Sequence, residues 1–191
     1  MVNIPNMLSI FRIGAAPALL LLAVLGNGKS FIALYAAAMV SDAADGLIAR
    51  KLHQKSPWGA KLDSAGDMAI LIVLPISVWL LWPQIILEET AYIVTGLVAY
   101  FIPTALAVLK FGRFPSYHTW GAKTVNVAVS VSLMIMFSGG PRWPFHVCVP
   151  LMLLEAVEEI VMTAVLPVRH TDVPSVWHAL KIAREERRPG R

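Results

Sequence analysis

Six long apolar stretches dominate this chain, at residues 10–25, 31–49, 59–82, 91–109, 122–138 and 145–166. A helix that crosses bilayer hydrocarbon needs about 20 mainly apolar residues. In lipid the backbone must satisfy its hydrogen bonds within the segment, which leaves the helix as the fitting element. The expectation is an all-α, polytopic membrane protein with six transmembrane helices. The breaks between stretches carry turn chemistry: Gly26-Asn27-Gly28, Pro83, the segment 112–115, and Gly139-Gly140-Pro141. Of the 191 residues, 57% are hydrophobic and 15% charged, whereas soluble domains carry about 45–50% apolar and about 25% charged residues. That balance excludes a secreted disulfide scaffold, a disordered tail and a free reader of nucleic acid. The single Cys148 has no internal partner for a disulfide.

The basic residues orient the spans. An even number of spans puts both ends on one side, and 14 of the 16 Lys and Arg residues fall there: Arg12 near the start, those flanking loops two and four, and those of the tail. Lys29 and Arg142 are on the other side. Under the positive-inside rule the ends and loops two and four are cytoplasmic, in an inner or plasma membrane. Stretch 10–25 has no small-x-small site after it and is read as a retained first helix. Residues 1–170 are expected to form a six-helix membrane domain and 171–191 a basic cytoplasmic tail. Trp177 and Leu180 beside Lys181 and Arg184 suggest a short amphipathic helix lying on the membrane.

Two stretches are interrupted by aspartate. Asp42 and Asp45 are three residues apart and Asp63 and Asp67 four, so each pair shares one helix face. The connection between the two helices is short, which predicts antiparallel neighbours. The midpoints of the pairs are symmetric about that loop. At 1.5 Å rise per residue both lie at similar depth, roughly 5–15 Å inside the helix ends. Four carboxylates are therefore expected to converge below the cytoplasmic surface. Each Asp at mid-span costs about 2.5–3.5 kcal/mol on the lenient insertion scale. No basic residue lies within 31–49 or 62–82 to form a salt-bridge seam. Oxygen-rich clusters suit hard cations such as Mg²⁺ or Mn²⁺, and Gly46 and Gly59 leave room for a bulky ligand.

The residues spell Asp42-x-x-Asp45-Gly46-x-x-Ala49-Arg50, eight residues, then Gly59-x-x-x-Asp63-x-x-x-Asp67. This resembles the signature of the CDP-alcohol phosphatidyltransferase family at each of its eight fixed positions. The resemblance implies a six-helix membrane enzyme, usually a homodimer, that moves a phosphatidyl group from CDP-diacylglycerol to a small polar alcohol and releases CMP. It implies that Asp42, Asp45, Asp63 and Asp67 hold two divalent metals, Mg²⁺ or Mn²⁺, against the diphosphate. Asp67 would also be the catalytic base on the acceptor hydroxyl. Gly46, Ala49 and Gly59 would line the cytidine and diphosphate pocket, with Arg50 also on the substrate.

The opening Asn3-Ile4-Pro5-Asn6-Met7-Leu8-Ser9-Ile10-Phe11-Arg12 is similar to that of phosphatidylglycerophosphate synthases, where Ser9 replaces the usual Thr. That likeness puts Ser9 and Arg12 among the substrate-binding residues and favours glycerol 3-phosphate as acceptor. Met68 departs from the Lys usual there, and Leu62-Asp63-Ser64 is mildly similar to serine-using members, so serine or an inositol phosphate are the alternative acceptors. In loop four, Arg113 and Lys123 can bind an acceptor phosphate, while His118 reads as a loop hydrogen-bonder. Glu155, Glu158 and Glu159 in the last stretch have no assigned role. An intramembrane cation transporter and an inactive scaffold of the same fold are the competing classes; the first needs carboxylates on both halves of the membrane.

Overall fold

A computed structural model describes residues 4–51, 57–112, 119–168, 170 and 173–186. Among these, every regular element is a helix: α1 (Ile4–Val24), α2 (Gly28–Lys51), α3 (Pro57–Leu81), α4 (Pro83–Glu88), α5 (Thr90–Phe111), α6 (Trp120–Phe137), α7 (Trp143–Val165) and α8 (Val176–Glu186). Six of them, α1–α3 and α5–α7, overlie the six apolar stretches. Among the described residues three segments are long and apolar enough to cross a membrane: Asn6–Val24, Lys61–Leu81 and Thr90–Phe111. Helices α2 and α7 are of similar length, at 24 and 23 residues, and both carry carboxylates. In α6 the apolar segment Gly121–Phe137 is shorter. The outward faces of the apolar helices are themselves apolar, with Leu21, Ile72, Ile76, Val94 and Val98 exposed. Helices apolar all round belong in lipid or in a large core.

The chain divides into two compact units, residues 1–90 and 91–191. In the first, α1 packs along both α2 and α3. Its contact face is the stripe Ser9, Arg12, Ala16, Leu19 and Ala23, all buried, at alternating spacings of three and four. The small residues let the neighbours approach closely. From α2 the stripe Phe31, Tyr35, Ala38 and Ser41 is buried, and from α3 Gly66, Ile70 and Ser77. The Ser41 hydroxyl donates to the Leu8 carbonyl at 3.2 Å. Among the described residues the extensive contacts of α2 and α3 are with α1, and Asp42 of α2 lies close to Asp63 and Asp67 of α3. Helix α1 brings to the aspartates a cation from outside the two acidic helices. The tight α1–α2 turn uses Gly26 at φ +68°, a left-handed conformation natural to glycine. Asn27 then accepts the Ser30 N–H at 3.2 Å and caps α2.

In the second unit α6 packs on α7 and α7 on α8. Helix α8 is the amphipathic helix expected in the tail. Val173 and Ala179 are buried in one cluster with Met162 and Leu166 of the α7 end, with Phe111, Val176 and Ile182 packed around them. Trp177, Lys181 and Arg184 are exposed on the other face of α8. The Lys110 ammonium donates to the Thr163 and Ala164 carbonyls at 2.7 and 3.0 Å, satisfying acceptors that the C-terminus of α7 leaves open.

Candidate active site

The first unit gathers three carboxylates from two helices onto one guanidinium. Arg12 of α1 donates to Asp42 of α2 and to Asp63 and Asp67 of α3, 30, 55 and 51 residues apart in sequence for Asp42, Asp67 and Asp63 respectively. One oxygen of each carboxylate takes part in these bonds, and each pair is also an ion pair. The Arg12 side chain is 0% exposed, whereas those of Asp42, Asp63 and Asp67 are 48%, 42% and 54% exposed. The guanidinium therefore lies on the protein side of the cluster and the carboxylates open outward. The approach of α3 to α1 depends on Gly66: a Cβ there would lie 3.2 Å from Arg12 Cβ and 3.4 Å from the Ser9 carbonyl oxygen.

The donor set fits a hard divalent cation. Asp42, Asp63 and Asp67 each offer an oxygen, and these atoms lie within 4.8 Å of one another. Carboxylate oxygens are the ligands that Mg²⁺ and Mn²⁺ favour over softer metals. Three like charges this close are retained only with cationic compensation.

The other expected site residues are placed less fully. Asp45, Gly46, Ala49 and Arg50 lie in the last turns of α2, but their side-chain surroundings fall outside the described residues, as do Arg113 and His118 entirely. Gly59 is half-buried in the first turn of α3 and Ser9 is buried in α1. Lys123 is exposed on α6, in the second unit. Arg12, expected from the opening motif to bind substrate, is instead buried against Asp42, Asp63 and Asp67 as the compensating charge that the two acidic stretches do not contain. Its signal was present: a lone Arg inside the first stretch, on the same face as Ser9 and Ala16.

The second unit holds acids of a different kind. Glu155 of α7 accepts from the Thr119 hydroxyl, at 3.2 Å to the nearer oxygen, and lies directly over Gly121, where a Cβ would come within 1.9 Å of Glu155 Oε1. Thr119 in turn caps α6 by accepting the Ala122 N–H at 3.0 Å. Glu158 accepts the Val176 N–H at 2.9 Å, which ties the start of α8 to α7. A cavity of about 180 Å³ in this unit is lined by Tyr100, Thr104, Asn126, Met152, Glu155 and Glu159, among others.

Comparison with known proteins agrees with the geometry of the first unit. The family model described as CDP-alcohol phosphatidyltransferase matches residues 2–170. A CDP-diacylglycerol–glycerol-3-phosphate 3-phosphatidyltransferase of Pseudomonas fluorescens is 30% identical over 155 residues, covering 76% of this chain and 77% of its own length. A probable phosphatidylglycerophosphate synthase of Mycobacterium tuberculosis is 27% identical over 176 residues, covering 85% of this chain and 78% of that protein. The human cardiolipin synthase (CMP-forming) is 38% identical over 76 residues, which are 39% of this chain and 25% of that protein. No solved structure matches the chain.

Proposed function

Since the chain belongs to the CDP-alcohol phosphatidyltransferase family, we propose that it makes a phospholipid by transferring the phosphatidyl group of CDP-diacylglycerol to glycerol 3-phosphate, releasing CMP. The observation that carries this reading is the convergence of Asp42, Asp63 and Asp67 on the outward side of one buried arginine. The choice of acceptor rests on the similarity of 76% of the chain to the Pseudomonas protein and on the opening Pro5-Asn6-x-Leu8-Ser9-x-x-Arg12.

In this reading Asp42, Asp45, Asp63 and Asp67 hold two divalent ions, Mg²⁺ or Mn²⁺. Such ions, when bound, neutralise the diphosphate and stabilise the departing CMP oxygen. Asp67, the most exposed of the three described carboxylates, takes the proton of the acceptor hydroxyl as its oxygen bonds to phosphorus and the bond to the CMP oxygen breaks. Gly46, Ala49 and Gly59 leave space for the nucleotide, with Ser9 and Arg50 beside it. Arg113 and Lys123 supply donors for the acceptor's phosphate.

The reading extends to the setting of the enzyme. Helices α1, α2, α3, α5, α6 and α7 are the six spans, the ends of the chain and the active site are cytoplasmic, and the working form is a homodimer. Residues 171–191 act as a basic cytoplasmic appendage to the catalytic domain. The polar donor head then meets a water-soluble acceptor at the membrane surface while its acyl chains stay in lipid.

The 38% identity to a cardiolipin synthase over 76 residues favours a second acceptor, a lipid alcohol. Purified protein given CDP-diacylglycerol, Mn²⁺ and a panel of labelled acceptors decides. The panel comprises glycerol 3-phosphate, phosphatidylglycerol, serine and inositol 1-phosphate. CMP release with glycerol 3-phosphate is the expected outcome. Release with phosphatidylglycerol alone moves the enzyme to the second reading, and release with none of the four refutes both.

A further inference from the structure

The cation that holds the aspartates together is part of the protein. We propose that Arg12 is a positioning residue, a resident counter-ion that keeps Asp42, Asp63 and Asp67 assembled without metal and weakens divalent binding so that it stays reversible. The inference rests on reading those aspartates as cation ligands.

Three observations carry it. The Arg12 side chain is 0% exposed and bonded to all three carboxylates, so from that position it meets neither water nor substrate. The carboxylates it binds are about half exposed and their oxygens lie within 4.8 Å of one another, so the outer side of the cluster remains accessible to an ion. The arginine is fixed from behind, since Gly66 of α3 brings its backbone against Arg12 Cβ and the Ser9 carbonyl, and Ser41 of α2 bonds the Leu8 carbonyl one turn away.

Removal of Arg12 has two opposed consequences, and magnitudes decide between them. Its loss frees the Asp rotamers, but these side chains are short and their helices stay packed on α1 through Ala16, Leu19 and Ala23. Its loss also removes a unit charge bonded to the carboxylates that a doubly charged ion needs. Even with the screening of water, that repulsion is worth about a factor of ten in affinity. The charge effect wins: without Arg12 the protein is less stable when metal-free and binds the divalent ion more tightly.

The test uses the full chain in detergent, with free Mn²⁺ followed by electron paramagnetic resonance and unfolding followed by circular dichroism. Arg12→Gln is expected to bind Mn²⁺ about tenfold more tightly than wild type and to unfold about 5 °C or more lower in chelator. Arg12→Lys, which keeps the charge, is expected to bind Mn²⁺ within about threefold of wild type. A purely space-filling arginine predicts the loss of stability without the gain in affinity. If Arg12→Gln is unfolded in chelator, saturating Mn²⁺ must restore its fold; a variant still unfolded in Mn²⁺ overturns the inference. So does Mn²⁺ affinity in Arg12→Gln no tighter than wild type's. Loss of Mn²⁺ binding in Asp63→Asn with unchanged binding in Arg12→Gln refutes the role of Arg12 alone. Full Mn²⁺ binding in Asp63→Asn refutes the reading of the site, and this inference with it.

Discussion

Each of the two units holds a group of three described acids, and the two groups are used in opposite ways. In the first, Asp42, Asp63 and Asp67 come from two helices and share a guanidinium supplied by a third, with their outer sides exposed. In the second, Glu155, Glu158 and Glu159 lie on one helix. Glu155 meets the hydroxyl that caps α6 and Glu158 the first amide of α8. Acids engaged one by one with hydroxyl and amide donors join helices. Acids gathered from different helices around one buried cation, with room left outside, form a site. The lesson is that partners, rather than the number of acids, separate a functional cluster from a structural one.

That contrast can be broken by substitution. The largest effect belongs to Asp67→Asn, which removes the proposed proton acceptor and is expected to lower kcat by about 10²–10⁴ at saturating Mn²⁺, measured as CMP release. Next comes Gly121→Ala. Its Cβ would displace the Glu155 carboxylate and cost about 1–3 kcal/mol of stability, read by chemical unfolding, while leaving Mn²⁺ affinity at the wild-type value. The smallest is Glu158→Ala, which leaves the Val176 amide without its acceptor and costs about 1 kcal/mol. Faster hydrogen exchange confined to α8, with little change in activity, is the expected result. A large loss of Mn²⁺ binding in either of the last two variants would erase the distinction between the units.

Much of this was legible in the chain. Apolar lengths gave the helices, and Gly26-Asn27-Gly28 gave the first turn. The spacing of Asp42, Asp45, Asp63 and Asp67 predicted a convergence that the structure shows for Asp42, Asp63 and Asp67. Those features are local, set by helical period and turn chemistry. What spacing could not show was tertiary. Arg12 reaches partners 30 to 55 residues away, and no periodicity links it to them. Its placement also makes α1, rather than either acidic helix, the neighbour that α2 and α3 share. Glu158 looked like an unexplained charge in a span because its partner is a backbone amide of α8, which leaves no mark on the sequence.

The central claim is that the aspartates on Arg12 carry cation-dependent phosphatidyl transfer while the glutamates of α7 do not. Mn²⁺-dependent CMP release from CDP-diacylglycerol and glycerol 3-phosphate, measured side by side for wild type, Asp63→Asn and Glu155→Gln, tests it most directly. The account predicts that Asp63→Asn loses the release and its Mn²⁺ dependence while Glu155→Gln keeps both. Undiminished release by Asp63→Asn, or a loss confined to Glu155→Gln, would contradict it.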